Sequence, residues 1–149
     1  MTFGFADLHN HQFSYLGYGG NIFWGGAYGD PADVLKHCAQ VHGPGGIRDI
    51  IGNLMRSIAY GASYSGGHLV GGFPEFDGWP RWDSITHQAV HENWLRRAVD
   101  GGLRLMAMLA VHNEGLATKA NPKPGSPRDD MGAVDLQLAA AKAMRLIQN

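Results

Sequence analysis

His9 and His11 are the residues of this sequence whose types and spacing point most directly to chemistry. They stand two positions apart in FGFADLHNH, which begins at Phe3. Side chains alternate between the faces of a strand, so Phe3, Phe5, Asp7 and both imidazoles share one face if this segment is extended. Such a face fits the interior of a barrel, with polar ligands at the carboxyl end. The spacing therefore predicts a divalent metal site at His9 and His11, with zinc as the first choice and Asp7 orienting the ligands.

Polar residues also follow a second apolar stretch. The run LRLMAMLAV begins at Leu103 and is followed directly by His112, Asn113 and Glu114. If both stretches are parallel strands, their carboxyl ends lie at the same edge of the sheet, where functional groups collect. These three residues are therefore candidate pocket residues or ligands. An ordinary polar cluster between a strand and a loop is the simpler alternative.

The remaining histidines give weaker signals. His42 and His68 both lie in glycine-rich loops, where either is a candidate for lining the pocket. His87 and His91 are spaced i, i+4 on a helix predicted over residues 84–99, so they are expected to share one face. Glutamine stands where the HExxH motif of zinc proteases needs its general-base glutamate. Packing or surface histidines are therefore the preferred interpretation of this pair.

The composition narrows the class of partner. A net charge of -1 over 149 residues gives no basic surface for nucleic acid, and no apolar run approaches the roughly 20 residues that cross a bilayer. A small molecule is therefore the expected partner, in a cytoplasmic protein, and the oligomeric state stays open. The single cysteine, Cys38, excludes an internal disulfide framework. Without a CxxC partner it is interpreted as an inert thiol.

The predicted elements alternate as in a parallel α/β protein. Residues 3–9 and 103–111 have the composition of strands, and the second is apolar enough to be covered on both faces. Asp30 and Pro31 indicate a helix N-terminus. About four helices are predicted, near residues 31–38, 48–60, 84–99 and 130–149. The 22 glycines place long loops, rich in glycine and aromatic residues, between these elements.

Two strands cannot form a sheet that buries both of its faces. The length fits one domain with one core. Residues 1–149 are therefore expected to be a single, incomplete domain, the N-terminal part of a larger parallel α/β fold.

Several of these segments carry a family resemblance. FADLHNH resembles the first-strand signature of the metal-dependent hydrolases with a TIM-barrel-like fold, a superfamily that includes amidohydrolases, with membrane dipeptidases and phosphoesterases as near relatives. HGPGG, GGFPEFDGWPRWDSITHQ and LRLMAMLAVHNEG also look like a bacterial branch of these proteins. The resemblance implies the N-terminal portion of a parallel (β/α) TIM-like barrel. Only His9 and His11 match the metal ligands of the family.

The resemblance also implies an activity. A zinc-like ion at the two histidines would activate a water molecule, which would attack an amide, peptide-like or ester bond. The alternative substrate is a phosphoester, as in phosphoesterases of the PHP-like type. The further ligands of the family stand on later strands, which are expected beyond Asn149. The 149-residue chain alone is therefore expected to be inactive. The alternative is a noncatalytic fragment or metal-binding module.

Overall fold

Two parallel strands join the beginning of the chain to its last third. The computed structural model describes residues 3–147, with strands β1 (Phe5–Asn10) and β2 (Leu103–Met108). Phe5 pairs with Leu103 and Asn10 with Met108, in parallel. The prediction of a mixed α/β fold with two parallel strands is therefore confirmed for the described residues. Because the strands are parallel, both carboxyl ends lie at one edge of the sheet.

Helices occupy the connection between the strands and the segment after them. The predicted N-cap is confirmed, because the Asp30 side chain accepts the N–H of Ala32 at 2.9 Å. No helix within residues 3–147 has both the length and the hydropathy needed to span a membrane. The α-helices of this range are α1 (Pro31–Val34), α2 (Ala39–His42), α3 (Ile50–Tyr60), α4 (Glu92–Asp100), α5 (Glu114–Lys119) and α6 (Asp130–Ile147).

The helix predicted around His87 begins only at Glu92. His91 is its N-cap and accepts a backbone N–H through Nδ1. The residues before it run beside Trp24, whose N–H donates to the carbonyl of Thr86 at 2.8 Å. These backbone bonds hold His87 in a parallel bridge with Trp24. The prediction that His87 and His91 share a helix face is therefore wrong.

Within the described residues, the apolar core contacts the sheet only through Met108, the last residue of β2. Phe3 is 79% exposed, Phe5 52% and Leu105 60%. The expected burial of the inward face of β1 and of both faces of β2 is therefore not found, because the described elements cover the sheet only in part. The buried apolar cluster instead joins the loop after β1 to α6, through Phe13 and Met144.

Candidate metal centre

Four side chains of metal-ligating type, from three separate segments, converge in the interior. They are Cys38, His42, His68 and His87, called the Cys/His centre below. One ligand atom from each lies within 4.8 Å of the others. Cys38 is fully buried, and His42 and His87 are 2% and 4% exposed. These residues lie close enough together to bind a metal ion.

Helix α2 positions two of the four ligands. Cys38 is its N-cap and His42 its last residue. The N–H of His42 donates to the carbonyl of Cys38 at 2.9 Å, the bond of one helical turn. Residues four apart lie on the same face of a helix, so a purely local interaction brings these two side chains together.

Longer-range backbone bonds bring in the other two ligands. His68 donates its N–H to the carbonyl of Gly45 at 2.8 Å. The N–H of Cys38 bonds to a carbonyl two residues after His68, at 3.0 Å. His87 is placed by its bridge with Trp24. Loops that are distant in sequence are therefore fixed around one point.

Glycine is required beside the ring of His68. Gly46 has a φ of +68°, in the left-handed region that favours glycine. A Cβ on Gly46 would collide with Nδ1 of the His68 ring. The absence of a side chain at Gly46 therefore gives His68 the space that it occupies in the centre.

The three imidazoles pack edge to face. The ring centroids of His42 and His68 are 5.2 Å apart, those of His42 and His87 4.7 Å, and those of His68 and His87 4.8 Å. The interplanar angles lie between 76° and 87°. Ring nitrogens lie on ring edges, so this packing allows one nitrogen of each ring to approach a common point. Trp79 stacks on the His87 ring at 5.1 Å.

Hydrogen bonds show which nitrogens of His42 and His87 carry lone pairs. Nε2 of His42 lies 3.1 Å from the carbonyl oxygen of Ile22, and Nδ1 of His87 lies 3.3 Å from that of Ser84. A carbonyl only accepts, so these nitrogens are the donors. The opposite nitrogens, Nδ1 of His42 and Nε2 of His87, are buried without a hydrogen-bond partner among the described residues. Metal-ligating histidines show the same arrangement, with the second N–H donated to an oxygen.

His68 follows a related pattern with a carboxylate. Its Nε2 lies 3.4 Å from Sγ of Cys38. Its Nδ1 lies 3.6 Å from Oδ2 of Asp49 and 3.4 Å from Nη1 of Arg56. In the tautomer with a lone pair at Nε2, the Nδ1–H faces the carboxylate of Asp49, and Nη1 of Arg56 donates to Asp49 rather than to His68. Carboxylate–histidine–zinc sites orient their ligands in this way.

Asp49 connects the Cys/His centre to α3. Its Oδ2 accepts from the Thr86 hydroxyl at 2.7 Å and lies 3.4 Å from Nη1 of Arg56. Its Oδ1 accepts the N–H of Gly52 at 2.9 Å and so caps the helix. Burial acts to raise the pKa of this carboxyl, but the bond from Thr86 and the nearby imidazoles hold the pKa below its usual range. Asp49 is therefore an ionised acceptor behind His68.

Burial sets the protonation of the ligands. It lowers the pKa of His87 to about 3, lowers that of His42 and, together with the charge of Arg56, lowers that of His68 to about 4. The imidazoles are therefore neutral at pH 7, which is the form that binds metals. Burial raises the pKa of Cys38 to about 11, so a metal ion must displace the thiol proton.

A tetrahedral ion fits the centre after a small contraction. Bonds of about 2.0–2.1 Å to nitrogen and about 2.3 Å to sulfur place neighbouring ligand atoms about 3.3–3.6 Å apart. Cys38 and His68 are already at this separation, with 3.4 Å between Sγ and Nε2. The other pairs extend to no more than 4.8 Å. Ligand movements of about 1 Å therefore complete the coordination.

The structure brings His9 and His11 together at a different place. Their Nε2 atoms are 2.9 Å apart. Nδ1 of His11 lies 3.0 Å from the carbonyl oxygen of Leu109, just after β2, so this nitrogen donates and Nε2 keeps a lone pair. The pair lines an open cavity of about 420 Å³, whose wall also includes His87.

Asp7 supports the strand end rather than an imidazole. Its carboxylate accepts the backbone N–H of His9 at 3.1 Å and a side-chain N–H of Asn10 at 3.0 Å. These hydrogen bonds, that of Asn10 first, lower the pKa of Asp7. The bonds span a register irregularity in β1, where Asp7 and Asn10 are separated by one residue more than their partners on β2. Asp7 therefore acts on the backbone that carries His9.

The three candidate residues after β2 have local structural roles. Nδ1 of His112 accepts the backbone N–H of Tyr18, and Nε2 of the same ring lies 2.9 Å from the carbonyl oxygen of Arg128. Neither ring nitrogen is therefore free for an ion. Asn113 caps α5 through its side-chain oxygen, and Glu114 is exposed in the first turn of that helix.

Two members of the Cys/His centre differ from what their sequence context predicts. Cys38 is expected to be an inert thiol and His87 a packing histidine, but both meet the candidate pocket residues His42 and His68. One local signal exists, because Cys38 and His42 are one helical turn apart. His68 and His87 stand in loops without a diagnostic spacing, so only the path of the chain places them.

Comparisons of the chain with models of protein families, with curated proteins and with solved structures give no match. A functional assignment therefore rests on the geometry of the two histidine sites.

Proposed function

We propose that this chain binds one zinc ion through the Cys/His centre. One observation carries the proposal. Buried nitrogens of His42 and His87, with no hydrogen-bond partner among the described residues, belong to the same cluster as the Cys38 thiol and Nε2 of His68. A buried polar atom without a partner costs roughly 1–3 kcal/mol. One ion would satisfy all four ligand atoms at once.

The donor set favours zinc among the common divalent ions. Thiolate and imidazole are the ligands of zinc, whereas magnesium and calcium prefer oxygen. Four protein ligands also leave no open coordination position, which is typical of structural rather than catalytic zinc. The ion would therefore fasten α2 to the loops that carry His68 and His87.

Metal analysis and cobalt spectroscopy test this proposal. The purified chain, loaded with zinc and dialysed against metal-free buffer, should retain one equivalent in the Cys/His centre. Cobalt in place of zinc should give a thiolate-to-cobalt charge-transfer band and the strong visible bands of a tetrahedral site. Cys38→Ser removes the thiolate and should abolish the charge-transfer band and the retained zinc.

The chain offers a matched control for that substitution. His37 is exposed and adjacent to Cys38 in sequence, but it lies outside the cluster. His37→Ala should therefore leave metal content and the cobalt spectrum unchanged. Zinc retention that Cys38→Ser leaves unchanged would overturn the proposal.

Hydrolysis is a second candidate function, and the arrangement of His9 and His11 favours it. Their Nε2 atoms approach to 2.9 Å on the wall of a cavity of about 420 Å³, beside the carboxyl ends of both strands. Functional groups of parallel α/β proteins collect at this edge. Together with the resemblance of FADLHNH, this arrangement supports a metal-dependent hydrolase in which β1 and β2 belong to a TIM-like barrel.

The side chains around His9 and His11 would each have a role in the proposed hydrolysis. The bond from His11 to the carbonyl of Leu109 directs the other ring nitrogen of His11 towards His9. Asp7 holds the backbone of His9. A bound divalent ion supplies polarisation of the scissile bond and activation of water. The substrate would be a small molecule with an amide, peptide-like or ester bond or, as the second choice, a phosphoester.

Ligand count separates catalysis from metal binding without turnover. A catalytic zinc typically has three protein ligands and one open position, and His9 and His11 provide two. The zinc-loaded chain should be assayed on amide, ester and phosphoester substrates, alone and with His9→Ala, His11→Ala and both. Hydrolysis that is lost in each variant would support the second candidate. An inactive chain whose metal content the double substitution lowers would instead indicate a noncatalytic module.

A further inference from the structure

A larger cavity lies beside the Cys/His centre. Its volume is about 870 Å³, within the range of small-molecule pockets. Residues of α2, the start of α3 and α5 line it, and we call it the α3–α5 groove. His42 and Asp49 belong to both the groove and the surroundings of the centre. Neither candidate function above uses this space.

The rim of the α3–α5 groove is positively charged. Arg48 and Lys119 are exposed, and neither forms an ion pair with another residue of the described range. The one acid in the described lining, Asp49, is buried, and its carboxylate already contacts Arg56 and Thr86. The exposed charge that a ligand meets is therefore cationic, which favours an anion.

The walls of the groove are aliphatic. Ile47 is 66% exposed, Ile50 76% and Leu116 37%. Grouped apolar side chains that stay exposed mark a surface for an apolar ligand or partner. The described lining includes no Phe, Tyr or Trp that would stack on a nucleobase or a sugar. These walls therefore favour a saturated chain.

We propose that the α3–α5 groove binds an aliphatic carboxylate. The alkyl chain covers the aliphatic walls, and the carboxylate lies at the cationic rim formed by Arg48 and Lys119. Cations at the rim and aliphatic side chains in the walls are the two features that such an amphipathic anion needs. A second copy of this chain is the competing occupant, and sedimentation distinguishes it from a small ligand.

Calorimetric titration of the zinc-loaded chain with hexanoate and octanoate measures the binding directly. Each added methylene that becomes buried should tighten binding about threefold to fourfold. Hexanol has the same chain length as hexanoate without the charge, so it should bind at least about twofold more weakly. Saturable binding of both carboxylates, with octanoate the tighter, is the expected result.

Substitutions then assign the binding to the groove. Arg48→Gln and Lys119→Gln should each weaken octanoate binding about twofold to fivefold, as for exposed charge pairs. Ile50→Asn, at an exposed position, should weaken it through the alkyl chain. Arg96→Gln and Lys142→Gln are matched controls, because both side chains are exposed and lie outside the lining.

Three results would overturn the proposal. The first is the absence of saturable binding, and the second is binding that the groove variants and the controls change equally. The third is a concentration-dependent dimer that Ile50→Asn dissociates and octanoate leaves intact, since a second copy would then occupy the groove.

Discussion

The Sγ of Cys38 lies 3.4 Å from Nε2 of His68, across 30 positions of the sequence. The backbone between them includes α2, α3 and several tight turns, so this contact closes a long loop. An ion that binds both atoms would hold this loop closed. Because the two atoms are close together only in the folded chain, such an ion would stabilise the folded state. The consequences of this contact for stability can be measured.

Removal of the metal should destabilise the chain. An ion that binds only the folded state adds about 4 kcal/mol to the free energy of unfolding when it is present at about 1,000 times its Kd. Urea unfolding with zinc and with a chelator should therefore give clearly different midpoints. Cys38→Ser should show the same midpoint under both conditions. Equal midpoints for the wild-type chain would contradict a structural ion.

Gly46→Ala should disrupt metal binding through the position of His68. The new Cβ would collide with the His68 ring, in addition to the cost of a left-handed residue. We expect at least about a tenfold loss of zinc affinity, comparable to the loss of an outer-shell partner. Gly45→Ala is the control, because Gly45 also has positive φ but no atom lies within 4 Å of its Cβ position. Competition with a chromophoric chelator measures both, and equal losses would refute this explanation.

Asp49→Asn should destabilise the chain by isolating Arg56. The two side chains are 2% and 7% exposed and 3.4 Å apart. Removing one partner of a buried ion pair typically costs about 3–5 kcal/mol, and asparagine keeps the capacity to cap α3. Adding Arg56→Met should recover part of the loss, because no buried charge then remains unpaired. Urea unfolding of the two single variants and the double variant measures the coupling, and strict additivity would count against it.

The metal-free chain should lose stability as the pH falls below the ordinary range of histidine. The pKa of His68 is about 4 and that of His87 about 3, both lowered first of all by burial. Between these values and 6.5 the unfolded chain binds more protons than the folded chain. The contribution of these two histidines to the free energy of unfolding is therefore complete above about pH 6.5, and it is lost as the pH falls towards 4 and then 3.

Unfolding of the metal-free chain at several pH values tests this dependence. His42, whose pKa is also lowered by burial, adds to the same difference. His87→Gln removes one of these groups from the proton difference between the folded and unfolded chain and should give a shallower decline. His37→Gln, at an exposed position, should keep the wild-type slope. A slope that His87→Gln leaves unchanged would show that His87 does not contribute.

His112→Ala should affect stability rather than metal binding. The ring joins the N–H of Tyr18 to the carbonyl of Arg128, and its loss leaves both backbone groups without this partner. A cost of about 1–3 kcal/mol is expected. Zinc content should stay the same, which metal analysis of the folded variant checks. His37→Ala is the control, because it should change the free energy of unfolding only slightly. A loss of zinc in His112→Ala would contradict the structural role and would place His112 near an ion.

Local sequence patterns predicted where the strands and helix caps lie more successfully than they predicted which residues are buried. The apolar runs at β1 and β2 and the cap at Asp30 are visible in sequence because they depend on neighbouring residues. The segment before Glu92 has a helical pattern, yet its backbone bonds go to Trp24. That competition is non-local, so no periodicity reveals it. The exposure of Phe5 likewise depends on which elements cover the sheet.

Local patterns were enough to predict two strand segments and the shared face of His9 and His11, because the alternation of side chains along one strand is a local property. The predicted helix ends at residue 38 and leaves His42 in a loop, whereas in the structure α2 places Cys38 and His42 one turn apart. The convergence of His68 and His87 on Cys38 and His42 depends on long-range contacts, since hydrogen bonds to Gly45 and beside Trp24 fix those loops. The positions of the ligands depend on hydrogen bonds between backbone segments that are distant in sequence. The spacing of residues predicts the arrangement of ligands only when they stand on the same helix or strand.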